Sequence, residues 1–477
     1  MYTNKRGTEL MRSGQFGMNY DEPITSIERK AQGRRKLAMR IFDRELAIAR
    51  PSQQRLNRKL IAQGMIPSSN ADMIIHFDQP VYSGQFSQDG NFFFTANKDF
   101  KVSMYDTSNP YDWKHYKTVS YPFGRWTLTD ASLSPDNQFL AYTSIQSNVC
   151  LASTSPNDLD NPHILDFSGQ QNGSPDRSRH NFGIWSIRFS GNGRQLVAGA
   201  TSGLMVVYDI ESRTPLHSIH GHTEDVNAVS FADNSSNIIY TGSDDWALKI
   251  WDVRSLGDSR AAGVLIGHLE GLTYVESKGD GRYILSNAKD QSAKLWDVRN
   301  ATSPQAFDRI RNLRPPSQFD YRFDLGYDYS KHLSNIPNHS LVTFRGHRVF
   351  KTLIRCHFSP PASTNSRYIY TGSADGKVYI WNLDASLVRV LDIYKSTYNT
   401  RPPGQNSDAG RMYGPWRTCV RDVSWHPTAP VIVASAWNGH GYSNGTCTMH
   451  CWNEDAETDI IEPRAEPSVQ QVLNGRA

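Results

Sequence analysis

The chain has 477 residues, of which 21% are charged, 38% hydrophobic and 11% aromatic, with a formal charge of +4. This is globular composition at a length beyond one ordinary domain of about 150 residues, so it implies two or three domains or one large repeat architecture. No apolar run approaches the roughly 18 residues of a spanning helix, the opening MYTNKRGTELMRSGQ has no secretory h-region, and five scattered cysteines form no disulfide framework; a reducing compartment, nucleus and cytoplasm, is the expectation.

Residues 1–70 carry 14 Lys and Arg against 6 Asp and Glu, whereas the other 407 carry 37 against 41, so a basic arm precedes a slightly acidic body. In the arm, Thr25 and Glu28 fit a capping box, Ala38, Ile41, Phe42, Leu46 and Ala49 share one helical face, and Pro51 ends the run. A second short helix starts at Ser52, brings Leu56 and Leu60 together and stops at Gly64. The basic residues from Arg29 to Lys36 suit an import signal or a nucleic-acid contact.

Beyond the arm the chain repeats itself. Weak copies come first: PVYSGQFSQDGNFFFTANKDFKVSMYD, then LTDASLSPDNQFLAYTSIQSNVCLAS, then FGIWSIRFSGNGRQLVAGATSGLMVVYD. Strong copies follow from Gly221 and Gly267, whose Gly-His pairs are 46 residues apart and whose tryptophans, Trp251 and Trp296, are 45 apart. A third strong copy runs from Gly346 to Trp381, and a seventh unit, CVRDVSWHPTAPVIVASAWNGHGYSNGTCTMHCWN, ends at Trp452 and Asn453. Within each copy short runs alternate apolar and polar residues between turn residues, the pattern of half-buried antiparallel strands. A period of ~40–45 residues ending in Trp-Asp is the WD40 pattern, in which each unit forms one four-stranded propeller blade. The fold class expected is therefore all-β: a seven-bladed propeller over residues 75–455, with a helical arm over 1–74 and a disordered tail over 456–477. Insertions near 155–182, 300–342 and 392–417 interrupt the period. The first and third read as loops, while the aromatics of the second imply packing against the ring.

His222, His268 and His347 beside Asp245, Asp290 and Asp375 are raw material for acid-base chemistry. In this pattern they instead belong to buried hydrogen-bond chains, each completed by a hydroxyl and an indole: His222, Thr241, Asp245 and Trp251; His268, Ser286, Asp290 and Trp296; His347, Thr371, Asp375 and Trp381. Cys447, His450 and Cys451 suggest a metal, but strand alternation points the histidine away from the cysteines, and no second Cys/His pair sits at zinc spacing. With no phosphate loop, nucleophile elbow or paired catalytic carboxylates, the expectation is a non-catalytic binding platform without cofactor or metal.

Blades four and five both continue as Trp-Asp-Val-Arg, placing Arg254 and Arg299 three residues after their tryptophans, whereas blades six and seven have Asp384 and Asp455 there. Equivalent positions share one rim, so the two guanidinium groups form a paired basic feature suited to an interface; local pairing with Asp252 and Asp297 is the simpler use of each. On Asp252, Arg254, Asp297 and Arg299, and on runs such as EDVNAVSFADNSSNIIYTGSDDWALKIWD, FRGHRVFKTLIRCHFSP and CVRDVSWHP, the chain resembles the WD40 substrate receptors of cullin-4 E3 ubiquitin ligases, the eleventh DCAF group and its plant and fungal relatives in particular. The resemblance covers residues 75–455 and is specific in blades four to seven. It implies a receptor that binds the ligase's propeller adaptor, and through it cullin-4, with the Arg254/Arg299 face. It further implies an N-terminal helical pair inserted in an adaptor cleft, with Ile41, Phe42 and Leu46 as anchors, and a protein substrate held for ubiquitin transfer and proteasomal degradation.

Propellers commonly meet such ligands on the narrower face. Register from the strong blades puts Asp225, Asn227, Asp244, Trp246, Lys289 and Gln291 there, and extension to the weaker ones adds Tyr82, Lys98, Phe100, Trp185, Arg421 and Trp437. No membrane partner is expected, and a nucleic-acid partner is disfavoured. The alternatives are a WD40 scaffold in a chromatin or RNA-processing complex, and an enzyme using the central channel, for which the sequence offers no convergent titratable groups.

Overall fold

The computed structural model describes residues 4–17, 38–39, 41–42, 45–46, 51–158, 160–168, 182–311, 319–323, 326–327, 337–398, 416–440, 444–453 and 464–466. They form seven sheets arranged as a propeller. Blades one to six each run through four consecutive strands, beginning at Val81–Phe86, Leu128–Leu133, Ile184–Phe189, Val226–Phe231, Leu272–Ser277 and Cys356–Phe358. Blade seven begins at Trp416–Trp425. The first strands of neighbouring blades touch one another, so they line the axis, and each blade extends outward from them.

The alternating runs do form strands, but several are buried on both faces rather than one. Every residue of Phe92–Asn97, Tyr283–Ala288 and Ser292–Asp297 is buried. The cause is the ring: adjacent blades pack face to face, so a middle strand meets protein on either side, as in the cluster joining Tyr240, Ile250, Leu272, Val275 and Ile284 across blades four and five.

The ring is closed by chain ends. Met73–Phe77 pairs antiparallel with Asn444–Cys451, Met73 opposite Met449 and Phe77 opposite Gly445, and so completes blade seven from the N-terminal side. Arg464–Glu466 then adds a fifth strand, parallel to Met73–Ile75. These three residues lie within the expected tail and take backbone partners from the outer edge of Met73–Phe77; the rest of 456–477 lies outside the described residues.

The arm holds a helix that the sequence reading missed, α1 at Lys5–Arg12. Its N-cap Asn4 accepts a hydrogen bond from the Gly7 amide at 3.1 Å, and the Asn4 amide donates to the Asp384 carbonyl at 2.9 Å. Gly7 lies so close to the Leu383 carbonyl that any Cβ there would collide with backbone. Phe16, just beyond α1, is fully buried with Tyr283, Leu285, Trp381 and Leu383 of blades five and six. The expected second helix is α2, Pro51–Gly64. It packs on Pro361–Thr364, and the Tyr368 hydroxyl donates to the Gln63 carbonyl at 3.0 Å. Thr25, Glu28 and Ala49 of the expected first helix lie outside the described residues, while Ala38, Met39, Ile41, Phe42 and Glu45 are helical.

Candidate docking faces of the ring

The hydrogen-bond chains hold the turns on which the outer face is built. In blade four the Trp251 indole donates to Thr241 Oγ1 at 2.8 Å, which leaves that hydroxyl to donate to His222 Nε2 at 2.7 Å, and Nδ1–H then donates to Asp245 at 3.0 Å. Blade five repeats this with Trp296, Ser286, His268 and Asp290 at 2.7, 2.7 and 3.0 Å. The imidazole beside it and the Lys249 ammonium hold the Asp245 carboxyl at about 2. Burial lowers the His268 pKa, so the blade-five imidazole serves as a neutral relay.

Blade six departs from the expected chain. His347 Nε2 donates instead to Asn287 Oδ1 of blade five at 2.9 Å, Thr371 Oγ1 donates to the Arg355 carbonyl at 2.8 Å, and Asp375 accepts from the Tyr379 hydroxyl at 2.9 Å. Nearer partners win each group, and His347 Nδ1 is left buried without one.

Strand three of blades four and five delivers the paired arginines. Asp252 caps the short helical turn after Trp251, accepting from the Arg254 amide at 3.0 Å and from its guanidinium at 2.9 and 2.7 Å. Asp297 does the same for Arg299 and is also gripped by Arg282 at 3.1 Å. The local pairs therefore form, yet the Arg254 and Arg299 side chains remain 72% and 67% exposed, fixed in direction by a bidentate brace. On blade six the matching Asp384 is where α1 attaches, and Asp455 lies outside the described residues. Phe42 and Leu46 are exposed and Ile41 is half-buried; Met39, not singled out from the sequence, is exposed as well.

On the opposite face, a cleft of about 740 Å³ is lined by Trp185, Asp225, Asn227, Asp244, Trp246 and Lys289 together with Phe319, Asp320, Tyr321 and Arg322 from the insertion of blade five. The insertion reaches it by burying Phe307 against Trp246, ring centroids 5.0 Å apart, and Tyr321 then lies over the Lys289 ammonium at 4.3 Å. Lys289 also pairs with Asp244 at 2.6 Å, and the Trp185 indole donates to Asp225 at 3.0 Å. Gln291 does not reach the cleft surface: it is buried, its amide bonded to the Val349 and Lys289 backbone. Lys98 is exposed and Phe100 packs over Gly124, both away from the cleft. Tyr82, Trp185, Arg421 and Trp437 converge at the mouth of the axial channel.

Titratable groups do converge on the axis, contrary to the sequence reading. Arg355 of blade six bridges Asp130 of blade two at 2.6 Å and Asp422 of blade seven at 3.1 Å. Arg188 joins Asp130 at 2.6 Å, and His357 links Asp422 at 2.9 Å to Glu276 at 3.0 Å. Asp130, Asp422 and Arg355 have side chains no more than 3% exposed. Each group is taken by another, so the cluster is a plug rather than an acid-base site. Cys447 and His450 are buried against Ser435 and Thr448, and among the described residues no three His, Cys, Asp or Glu side chains are placed to hold a metal ion.

The WD40 repeat family matches residues 72–106 and 338–382, and the nucleolar protein 10-like N-terminal domain family matches 118–307. The LEC14B protein of Lithospermum erythrorhizon is 38% identical over 78% of this chain and 74% of its own length, and the LEC14B homolog of Prunus armeniaca is 39% identical over 76% and 71%. A Caenorhabditis elegans protein named DDB1- and CUL4-associated factor 11 homolog is 32% identical over 81% of this chain and 63% of its own. With a seven-bladed ring, tandem Trp-Asp-Val-Arg turns and these relatives, the chain belongs to the WD40 family whose members carry the names LEC14B and DDB1- and CUL4-associated factor 11.

Proposed function

We propose that the protein is the substrate-recognition subunit of a cullin-4 RING ubiquitin ligase, itself non-catalytic, acting in nucleus and cytoplasm. In this reading the Arg254/Arg299 face docks on the ligase's propeller adaptor, the exposed Met39, Phe42 and Leu46 add an apolar anchor, and the cleft face holds a protein for ubiquitination and proteasomal degradation. The observation that carries it is the braced pair of exposed guanidinium groups on adjacent blades, in a chain whose relatives include one named for association with DDB1 and CUL4. Arginine held by a carboxylate enters an interface with its orientation already set, so less side-chain freedom is lost on binding.

The test is affinity purification of wild type beside the Arg254→Glu/Arg299→Glu variant, with partners identified by mass spectrometry and equal thermal stability required of both. Capture of the adaptor and cullin-4 by wild type alone is the expected result; capture by neither overturns the reading. A second reading, a scaffold in an RNA-processing complex, is favoured by the nucleolar protein 10-like match over residues 118–307. It predicts that the double substitution changes no captured partner.

A further inference from the structure

Above the axial plug lies a cavity of about 230 Å³ walled by Tyr82, Trp126, Trp185, Leu353 and Trp437. Among the described residues, the charged ones lining it are Arg322, Lys351 and Arg421, with no carboxylate. Arg322 is engaged by Asp320 at 2.7 Å. Arg421 is different. It is 6% exposed, donates to the carbonyls of Tyr82 at 2.6 Å and Thr129 at 3.2 Å, and forms no ion pair with any described residue. A guanidinium carries five N–H donors, so two carbonyls leave part of its fork unused. The carboxylates nearest in charge, Asp422 and Asp130, are already held by Arg355. Burial, with the like charge of Arg355, pushes the Arg421 pKa down to about 10, the mark of a cation lacking an adequate counter-charge.

The cavity is blind, because Arg355 spans the axis beneath it from blade six to blade two. A peptide cannot thread through, and the volume lies below the ~300–1,000 Å³ of pockets that enclose drug-sized ligands. What fits a blind aromatic cup with a desolvated guanidinium in its lining is one chain end: an apolar side chain against the tryptophans and a carboxylate on the arginine. An acidic side chain in mid-chain would bring two flanking peptide segments to the same narrow mouth.

We infer that the channel mouth is a binding site for the free C-terminal carboxylate of a partner protein ending in an apolar residue, with Arg421 as its anchor. This rests on reading the cleft side as the substrate side, and it names the substrate class. Binding of a peptide needs no ligase, so the two readings fail separately.

The experiment uses the full chain, immobilised, and three decapeptide pools, with retained peptide measured by mass spectrometry. One pool ends in Leu with a free carboxylate, the second is the same pool amidated, and the third is amidated with a fixed central Glu. The expected result is at least ten-fold greater retention of the first pool, erased by Arg421→Gln. Trp126 is 60% exposed at the rim, so Trp126→Ala keeps the fold and is expected to weaken retention several-fold. Should Arg421→Gln fail to fold, the amide comparison and Trp126→Ala still decide. Equal retention of free and amidated pools, preference for the internal-Glu pool, or no effect of Trp126→Ala overturns the inference. Adaptor capture by the wild-type preparation, read in parallel, is absent if the receptor reading itself is wrong and present if only the carboxylate site fails.

Discussion

Blades five and six carry the same four residue types at matching places, His, a hydroxyl, Asp and Trp, and use them differently. In blade five all four are joined and buried. In blade six His347 bonds outside its blade, Asp375 is half-buried on Tyr379, and burial pushes the His347 pKa down to about 4. Blade six places its strongest polar contacts at the axis instead, through Arg355 and His357. A repeated motif therefore fixes positions, while neighbouring blades decide which partners those positions find.

The largest effect is expected from blade six at the axis. Arg355→Met leaves Asp130 and Asp422 buried without their shared partner, and breaking a buried pair from one side costs about 3–5 kcal/mol; urea unfolding followed by tryptophan fluorescence reads it. Asp290→Ala strips the acceptor from His268, the Leu269 amide and Ser292 and is expected to cost about 1–3 kcal/mol in the same measurement. Asp375→Ala, the matching change in blade six, is expected to stay within about 0.5 kcal/mol, and a loss equal to that of Asp290→Ala would break the comparison.

Acid sharpens it. The carboxyls of Asp245, Asp290 and Asp422 are held below the unfolded value of about 3.9. Their contribution is therefore complete above that value and fades as pH falls through the depressed ones, so the thermal midpoint drops on acidification, and less steeply in Asp290→Asn. His357 works the other way. Glu276 and Asp422 raise its pKa, so its share is full below about 6.5 and is lost as pH climbs through the raised value; His357→Gln flattens that alkaline limb. Smallest of all, Arg254→Glu/Arg299→Glu leaves the melting temperature where it was, because both side chains face solvent.

The blades were legible because every strong copy shows its Gly-His, turn Asp and Trp, and the tetrads of blades four and five formed as those spacings imply. Blade six was misread since nothing in GHRVF or TGSADGKVYIW says that Asn287, 60 residues earlier, will claim His347. The axial plug left a sign that went unused: ionisable residues in mid-strand, as in WSIRF, TYVES, RCHF and CVRDV. Its pairings join residues up to 225 positions apart, beyond any local pattern. Helix α1 is short and charged, and what fixes it is Phe16 in a core formed by distant blades.

Met73–Phe77 is among the first parts of the ring to leave the ribosome, and its partner Asn444–Cys451 is among the last. At ~5–20 residues per second, this apolar strand waits on the order of tens of seconds with both edges unpaired, the state most open to pairing with another nascent chain. The seam that closes the finished ring therefore gives its birth a long vulnerable interval, and a chain stalled before residue 444 is expected to aggregate or to be retained by a holding chaperone.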